Sequence, residues 1–126
     1  MQLKYLDCSN TTVKDLSPLL QLNRLQLLDF SGSQAHDLTP LIGLTELRGL
    51  SCMKTNVRDL RPLSGLKHLE FLNLSVTKIQ DLEPLRNLDS LAMLFLWNTR
   101  VSDITPLTTL QALSHLDLDD SSVSDC

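Results

Sequence analysis

The chain contains 126 residues with a formal net charge of −4, and 42% of its residues are hydrophobic while only 4 are glycine. This composition predicts a folded chain and excludes a disordered segment or a flexible linker. No apolar run approaches the roughly 18 residues that cross a bilayer. The negative charge, with Lys and Arg spread along the chain, argues against a nucleic-acid partner, which would require a basic stripe. We therefore expect neither a nucleic acid nor a membrane as partner.

The sequence repeats with a period of 22 residues and without insertions. Asp and Pro mark this period at Asp15, Asp37, Asp59, Asp81, Asp103 and Asp125, and at Pro18, Pro40, Pro62, Pro84 and Pro106. An internal period of about 20 to 29 residues indicates stacked repeats, each with an apolar face that only its neighbours cover. We number each repeat from its first Leu and predict one domain over residues 1–126, with five full repeats and a partial sixth. The repeats begin at Leu3, Leu25, Leu47, Leu69, Leu91 and Leu113.

The first part of each repeat predicts a short β-strand. Positions 1 and 4 are Leu in all six repeats, and position 6 is Cys, Phe or Leu. Positions 4 and 6 alternate with polar or variable positions 3 and 5, and this period of two is typical of a strand with one buried face. Six such strands would pair side by side, parallel and in chain order.

The remainder of each repeat predicts a turn and one short helix. Position 9 is always Ser or Thr, whose hydroxyl can bond nearby backbone groups where the chain leaves the strand. Position 11 is apolar and would point inward. Asp at position 13 and Ser or Thr at position 15 offer acceptors to the first helical amides, and Pro at position 16 suits the helix start. Leu at positions 17 and 20 would form one face of a single helical or 3₁₀ turn.

The pattern Leu-x-x-Leu-x-Leu-x-x-Thr-x-Val-x-Asp-Leu-x-Pro-Leu-x-x-Leu resembles the 22-residue leucine-rich repeat. In particular it is similar to the subclass found in bacterial internalins and in a regulatory subunit of a eukaryotic protein phosphatase. The resemblance covers residues 3–126 in register. It implies an α/β solenoid, an arc with a parallel β-sheet on the concave face and short 3₁₀ or α turns on the convex face. It also implies a recognition scaffold whose protein partner lies against the concave sheet.

Two features depart from the family pattern. Position 9 is Thr or Ser here, where the family commonly has Asn, so a side-chain ladder at this position would be weaker. Family arrays usually close with dedicated caps, which this sequence lacks, and its sixth repeat stops before the Pro and both helix leucines. The ends of the core would then be open. We favour an excised piece of a longer protein over the alternative that another copy covers the ends.

The candidate binding surface is the concave face, from which positions 3, 5 and 7 project without a predicted structural role. Four of the chain's five aromatic residues lie at these positions, and exposed aromatic clusters are enriched at the centres of protein interfaces. We define Phe71, Met93, Phe95 and Trp97, on adjacent strands, as the aromatic patch. Alternatively, these large side chains are only packed into the hollow of the curved sheet, or a further segment of the protein covers them. The predicted partner-binding residues are Tyr5, Leu27, Met53, Phe71, Met93, Phe95, Trp97, His115 and Asp117.

Acidic residues flank the aromatic patch at both ends of the predicted sheet. Asp7 and Asp29 lie towards the first repeat, and Asp117, Asp119 and Asp120 lie in the sixth. This arrangement favours a partner with basic residues at its rim.

Two other classes of function are weighed against a binding module. His115, Asp117 and Asp119 share one strand face and could hold a metal ion in an enzyme, but same-face neighbours lie about 6.6 to 7 Å apart, which is wide for a shared ion. The sequence also lacks a glycine-rich phosphate loop and a recognisable nucleophilic triad motif. We therefore expect no catalysis, metal or cofactor. The third class is a structural or self-assembling segment that associates through its open ends.

Of the three cysteines, Cys8, Cys52 and Cys126, the first two are predicted to be free thiols, and no internal disulfide is expected. Cys8 and Cys52 occupy the same position two repeats apart, so two strand spacings of about 4.8 Å place them beyond disulfide reach. Free thiols suit a reducing compartment, and the first repeat begins too close to Met1 for a signal peptide. We therefore expect a cytoplasmic protein, with a secreted effector or a fragment of a surface protein as alternatives.

Overall fold

Six three-residue strands and five 3₁₀ helices alternate along the chain in the computed structural model, which describes residues 2–121. The strands are β1 Tyr5–Asp7, β2 Leu27–Asp29, β3 Gly49–Ser51, β4 Phe71–Asn73, β5 Met93–Phe95 and β6 His115–Asp117. The 3₁₀ helices are Ser17–Gln21, Thr39–Leu41, Arg61–Leu63, Glu83–Leu85 and Thr105–Leu107. Within residues 2–121, no helix is long and apolar enough to cross a membrane.

The strands form one parallel sheet in the order β1 to β6. Each strand pairs with the next so that equivalent repeat positions lie side by side, for example Leu28 with Leu50 and Leu50 with Leu72. Each 3₁₀ helix likewise lies against the helix of the next repeat. The predicted α/β solenoid, with parallel strands in chain order and short 3₁₀ turns, is confirmed.

The core lies between the sheet and the 3₁₀ helices and consists of the apolar repeat positions. Leu50, Leu72 and Leu94, at position 4 of the middle repeats, are fully buried, as are Val57 and Ile79 at position 11. Each fully buried Leu or Ile contributes roughly 1.5–3 kcal/mol of burial free energy. Leu6, Val13 and Leu116, at the same positions of the outer repeats, are only half buried, because each of these coils is covered by a neighbour on one side only.

In four of the six repeats, the hydroxyl of a Thr at position 9 closes the turn that follows the strand. The Thr Oγ1 atoms donate to the backbone carbonyl three residues earlier, at position 6 of the same repeat. The bonds run from Thr11 to Cys8 at 2.7 Å, from Thr55 to Cys52 at 2.6 Å, from Thr77 to Leu74 at 2.6 Å and from Thr99 to Leu96 at 2.8 Å. The predicted repetition of one hydroxyl bond is thus confirmed for these threonines. The bond lies within a coil and does not link neighbouring coils.

Asp at position 13 fixes the entry into each 3₁₀ helix. Its Oδ1 accepts the backbone N–H of position 15, at 2.9 Å for Asp37 and Thr39 and at 3.0 Å for Asp59 and Arg61. The prediction that Ser or Thr at position 15 accepts a helical amide was wrong. Position 15 is itself the first helical residue, and no side chain caps these helices at the preceding Leu or Ile.

Position 8 adopts a left-handed backbone in all six repeats, a feature that the sequence analysis missed. The residues and their φ angles are Asn10 55°, Gly32 70°, Lys54 57°, Val76 56°, Asn98 53° and Asp120 55°. This conformation aims the position 8 N–H at the next coil, where Val76 N donates to Trp97 O at 2.9 Å. Gly and Asn tolerate it readily, whereas a β-branched residue is strained there. Val76 is therefore the least favourable of the six.

We predict that Val76→Asn stabilises the fold by about 1 kcal/mol, because a left-handed backbone costs an ordinary residue about 1–2 kcal/mol. The reciprocal change Asn98→Val, at the same position of the next repeat, should destabilise the fold by a similar amount. Urea unfolding followed by circular dichroism measures both. A loss of stability in Val76→Asn together with no change in Asn98→Val would contradict this account.

Acid should destabilise the fold through the position 13 carboxylate of Asp59. Hydrogen bonds from the Arg61 side chain and backbone N–H lower the pKa of Asp59 to about 2, below the value of about 3.9 in an unfolded chain. Since the folded-state pKa is the lower one, this stabilisation is fully present above pH 4–5 and is lost as the pH falls towards about 2.

Asp59→Asn keeps an oxygen acceptor for the Arg61 N–H but does not titrate. Its urea midpoint should therefore fall less than that of the wild type as the pH is lowered from about 5 to about 2. Asp89→Asn is the control, because Asp89 takes part in the hydrogen bonds within residues 2–121 only through its backbone N–H, which donates to Asn87 O at 3.0 Å. Identical pH profiles for Asp59→Asn and the wild type would argue against a role for Asp59 in acid sensitivity.

Candidate protein-binding face

The predicted partner-binding residues all lie on the concave face of the sheet or at its edge. Tyr5, Leu27 and Met93 are the most open of the apolar ones, with 62%, 45% and 39% of their surface exposed. His115 is also exposed. Met53, Phe71, Phe95, Trp97 and Asp117 are half buried. Phe30, the one aromatic residue assigned to the core, is fully buried.

Aromatic rings form a contact chain across β4, β5 and β6. The ring centroids of Phe71 and Phe95 lie 5.4 Å apart with planes tilted by 50°. The Phe95 ring then contacts the His115 ring at 5.0 Å and 45°. Tilted ring pairs at these distances are favourable beyond the area they bury. The structure thus brings Phe71 and Phe95 together and extends the ring surface to His115.

Position 5 has a structural role, which corrects the prediction that positions 3, 5 and 7 have none. The Asp or Asn Oδ1 accepts the backbone N–H of position 7, just after the strand ends. The pairs are Asp7 with Ser9 at 2.9 Å, Asp29 with Ser31 at 2.9 Å, Asn73 with Ser75 at 3.0 Å and Asp117 with Asp119 at 3.1 Å. The signal was present in the sequence, because Asp or Asn fills position 5 in four of the six repeats.

Position 7 also takes part in structural hydrogen bonds. The hydroxyls of Ser31 and Ser51, on neighbouring coils, lie 2.7 Å apart. Ser75 Oγ accepts the backbone N–H of Trp97 at 3.2 Å, which fixes the main chain of Trp97 against the preceding coil, two residues after β4 ends. In Trp97's own repeat, position 5 is Phe95 and cannot accept this N–H, so the serine of the preceding coil replaces the missing acceptor.

An open depression of about 400 Å³ lies on the concave face around Gly49. Tyr5, Leu27 and Phe71 line one part of it, and Asp7, Asp29 and Ser51 line the adjacent part. Gly49 forms its floor because it carries no side chain between Leu27 and Phe71, its partners on the neighbouring strands. A Cβ atom at Gly49 would lie 2.5 Å from Leu27 Cδ2, so the Leu27 side chain leans over the glycine. The sequence analysis missed this depression, although Gly49 is the one glycine at position 3.

The two carboxylates at the edge of the depression, Asp7 and Asp29, are not neutralised by a basic side chain of residues 2–121. Asp7 and Asp29 are direct partners on β1 and β2. Contacts with the Ser9 side chain and its backbone N–H lower the pKa of Asp7, so it stays charged at neutral pH. Within residues 2–121, neither carboxylate forms an ion pair. The four ion pairs there are Arg24–Glu46, Arg48–Glu70, Arg61–Asp59 and Arg86–Glu83.

His115, Asp117 and Asp119 do not form a metal-binding group. Among the residues that the structure describes, no three His, Cys, Asp or Glu side chains lie close enough to hold an ion. The His115 ring packs on Phe95, and Asp117 Oδ1 accepts the Asp119 N–H instead.

Cys8 and Cys52 are both free thiols. Burial, followed by the charge of Asp29, raises the pKa of Cys52 to about 12. Burial, followed by the charges of Asp29 and Asp7, also raises the pKa of Cys8. Both side chains therefore act as small apolar groups and are poor nucleophiles at neutral pH. Cys126, like Asp125, lies outside the described residues.

Comparisons with known proteins agree with this architecture. A family model described as "Leucine Rich repeats (2 copies)" matches residues 45–87. An internalin (InlF) from Listeria monocytogenes superposes with a TM-score of 0.93 at 31% identity, covering 98% of this chain and 37% of that protein. Internalin C2 from the same species gives a TM-score of 0.95 at 33% identity, covering 98% and 54%. A leucine-rich-repeat protein from Leptospira interrogans, at 21% identity and covering 98% and 38%, shares the fold with a TM-score of 0.88. No curated protein sequence matches the chain.

The repeat, the sheet and these likenesses define a leucine-rich repeat protein. The repeat is of the internalin-like type, and the chain spans about a third to a half of the two internalins it resembles.

Proposed function

We propose that the chain is a protein-interaction module that binds a protein partner on its concave face through the aromatic patch, without catalysis of its own. The observation that carries the proposal is the row of rings from Phe71 through Phe95 to His115, which lies on the open side of the sheet while the leucines fill the core. Partly exposed aromatic side chains on a rigid scaffold bind at low entropic cost, because they have few rotatable bonds and are already held in place.

The scaffold supports this role because neighbouring coils fix the binding residues. Phe71 and Met93 are direct partners on β4 and β5, and the backbone of Trp97 is bonded to the preceding coil through the Ser75 hydroxyl. The partner would be a protein and not a nucleic acid, since the chain carries a net charge of −4 and the concave face presents carboxylates. The cytoplasmic location predicted from the sequence stays a prediction.

Phe95→Ser and Trp97→Ser should each weaken partner binding about 30-fold or more, because truncating an interface centre typically costs at least about 2 kcal/mol. Ile42→Ser is the matched control, since Ile42 is 55% exposed but follows the second 3₁₀ helix on the convex side. Proteins captured from a cell extract by each immobilised variant are compared by quantitative mass spectrometry, and dissociation constants are measured for those that differ.

The expected partner is captured by the wild type and Ile42→Ser and is lost with both concave variants, while circular dichroism shows all four chains folded. Equal capture by all four chains would exclude the aromatic patch as the binding surface.

A second candidate function is self-assembly, favoured by the half-buried core positions of the outer coils. Leu6 and Leu116 at position 4 of the first and sixth repeats are half buried, whereas Leu50 is fully buried. A second copy stacked on either outer strand would cover these leucines and pair the strand edge. Analytical ultracentrifugation distinguishes the two functions. A mass of 14.1 kDa that does not change with concentration would rule out self-assembly.

A further inference from the structure

The depression around Gly49 differs in chemistry from the aromatic patch. Its apolar wall includes Tyr5 and Leu27, the two most exposed large hydrophobic residues of the concave face, with Phe71 on the opposite side. Asp7 and Asp29 are two residues further along β1 and β2 and form its polar wall. We define these five residues, with Gly49 as the floor, as the Gly49 pocket.

We propose that the Gly49 pocket receives an arginine or lysine side chain of the protein partner. This inference rests on the proposed function, because it specifies which groups of the partner the concave face recognises. It goes beyond that function by assigning a second contact area, on β1 to β3, that the aromatic patch does not include.

The shape of the pocket suits one long side chain. Ligand pockets typically enclose about 300–1,000 Å³, so a volume of about 400 Å³ lies at the small end of that range. Arg and Lys side chains combine an apolar stem with a charged head and lay the stem along apolar surfaces. The stem would lie against Leu27 and Phe71, and the charged head would reach Asp7 and Asp29. The exposed Tyr5 ring adds a surface on which a cation is favoured.

Charge selects a basic occupant over other side chains. The strand register places Asp7 directly beside Asp29, and adjacent like charges on neighbouring strands destabilise a sheet. Neither carboxylate pairs with a cation from residues 2–121, although four other acidic side chains of that range do. An acidic occupant would add to the repulsion, and a purely apolar one would remove water from the carboxylates without replacing it. A cationic head relieves both costs.

The carboxylates are already held in position. Asp7 Oδ1 and Asp29 Oδ1 each accept a backbone N–H at 2.9 Å, from Ser9 and Ser31 respectively. This bond uses one oxygen of each carboxylate and limits its rotation, so the ion pair with a partner forms with little loss of side-chain freedom.

The test uses peptides selected from a random display library on the immobilised whole chain. The Asp7→Asn/Asp29→Asn double variant removes both charges but keeps the backbone acceptor, as Asn73 does naturally on β4. Asp37→Asn is the matched control, because the Asp37 carboxylate also accepts a backbone N–H at 2.9 Å but lies at position 13, before the second 3₁₀ helix. Gly49→Ala tests the floor, since its added methyl group meets only the flexible end of Leu27 at close range. Phe95→Ser reports separately on the aromatic patch.

We expect the selected peptides to share an Arg or Lys beside apolar residues. They should bind Asp37→Asn as they bind the wild type, and bind the double variant and Gly49→Ala about 10-fold more weakly. Added salt should weaken their binding to the wild type more than to the double variant. Replacing the shared basic residue of a selected peptide with norleucine should cause the same loss.

Selected peptides that lack a basic residue, or that bind the double variant as well as the wild type, would overturn the pocket assignment. If such peptides still lose binding to Phe95→Ser, the proposed function stands and only this inference fails. Peptides insensitive to all the concave variants would overturn both. The wild type could instead be a dimer in ultracentrifugation while the double variant is a monomer. The pocket would then bind a side chain of a second copy, and its assignment to a different protein partner would be overturned.

Discussion

The whole molecule depends on stacking each coil on the next in an unbroken 22-residue register. Its strands have only three residues each, and isolated strands of that length are not stable in water. They persist here because most coils repeat the same side-chain-to-backbone bonds around the strand. Position 5 holds the N–H of position 7, the position 9 threonines close the turn, and position 13 fixes the helix entry. A one-residue insertion would misalign all of these bonds with those of the neighbouring coils.

The same register places like residues side by side, with opposite consequences for apolar and charged positions. Leucines stacked on leucines give a continuous core from coil to coil. Stacked aspartates repel one another, and Asp37 and Asp59 raise the pKa of the position 13 Asp of the preceding repeat. The net pKa of Asp15 and Asp37 is nevertheless lowered, because the hydrogen bonds from Ser17 and Thr39 outweigh that repulsion. Local hydrogen bonds therefore keep the stacked aspartates ionised despite their mutual repulsion.

Repeat positions whose role follows from periodicity were predictable, and positions whose role depends on the backbone path were not. Burial at positions 4, 6 and 11 follows from the alternation of apolar residues, which is why Leu72 and Ile79 were assigned to the core correctly. The left-handed backbone at position 8 left no common signal, because Val76 and Lys54 adopt it although neither residue type favours it. There the bonds to the next coil decide the conformation, and the local preference of the residue is overridden.

The candidate site was predictable in content but not in layout. Side-chain alternation placed Phe71, Phe95 and Trp97 on the open face, but it could not show that the Phe95 ring contacts His115. The Gly49 pocket was harder to foresee, because it arises from a missing side chain. A residue without a side chain leaves a depression only when its neighbours on both sides are large. Gly49 has such neighbours because the sheet pairs it with Leu27 on β2 and with Phe71 on β4.

The layout divides the concave face into two halves of different chemistry, and this division bears on how a partner would be oriented. Position 5 carries Asp on β1 and β2, neutral polar residues on β3 and β4, Phe95 on β5 and Asp117 on β6, but only the Asp pair of β1 and β2 borders the Gly49 pocket. Charge-bearing groups chiefly set orientation and association rate, whereas buried aromatic groups chiefly set the lifetime of a complex. A partner with a basic end and an apolar end would therefore bind in one direction along the arc. The reversed orientation would place its basic groups on Phe71 and Phe95 and leave Asp7 and Asp29 unpaired.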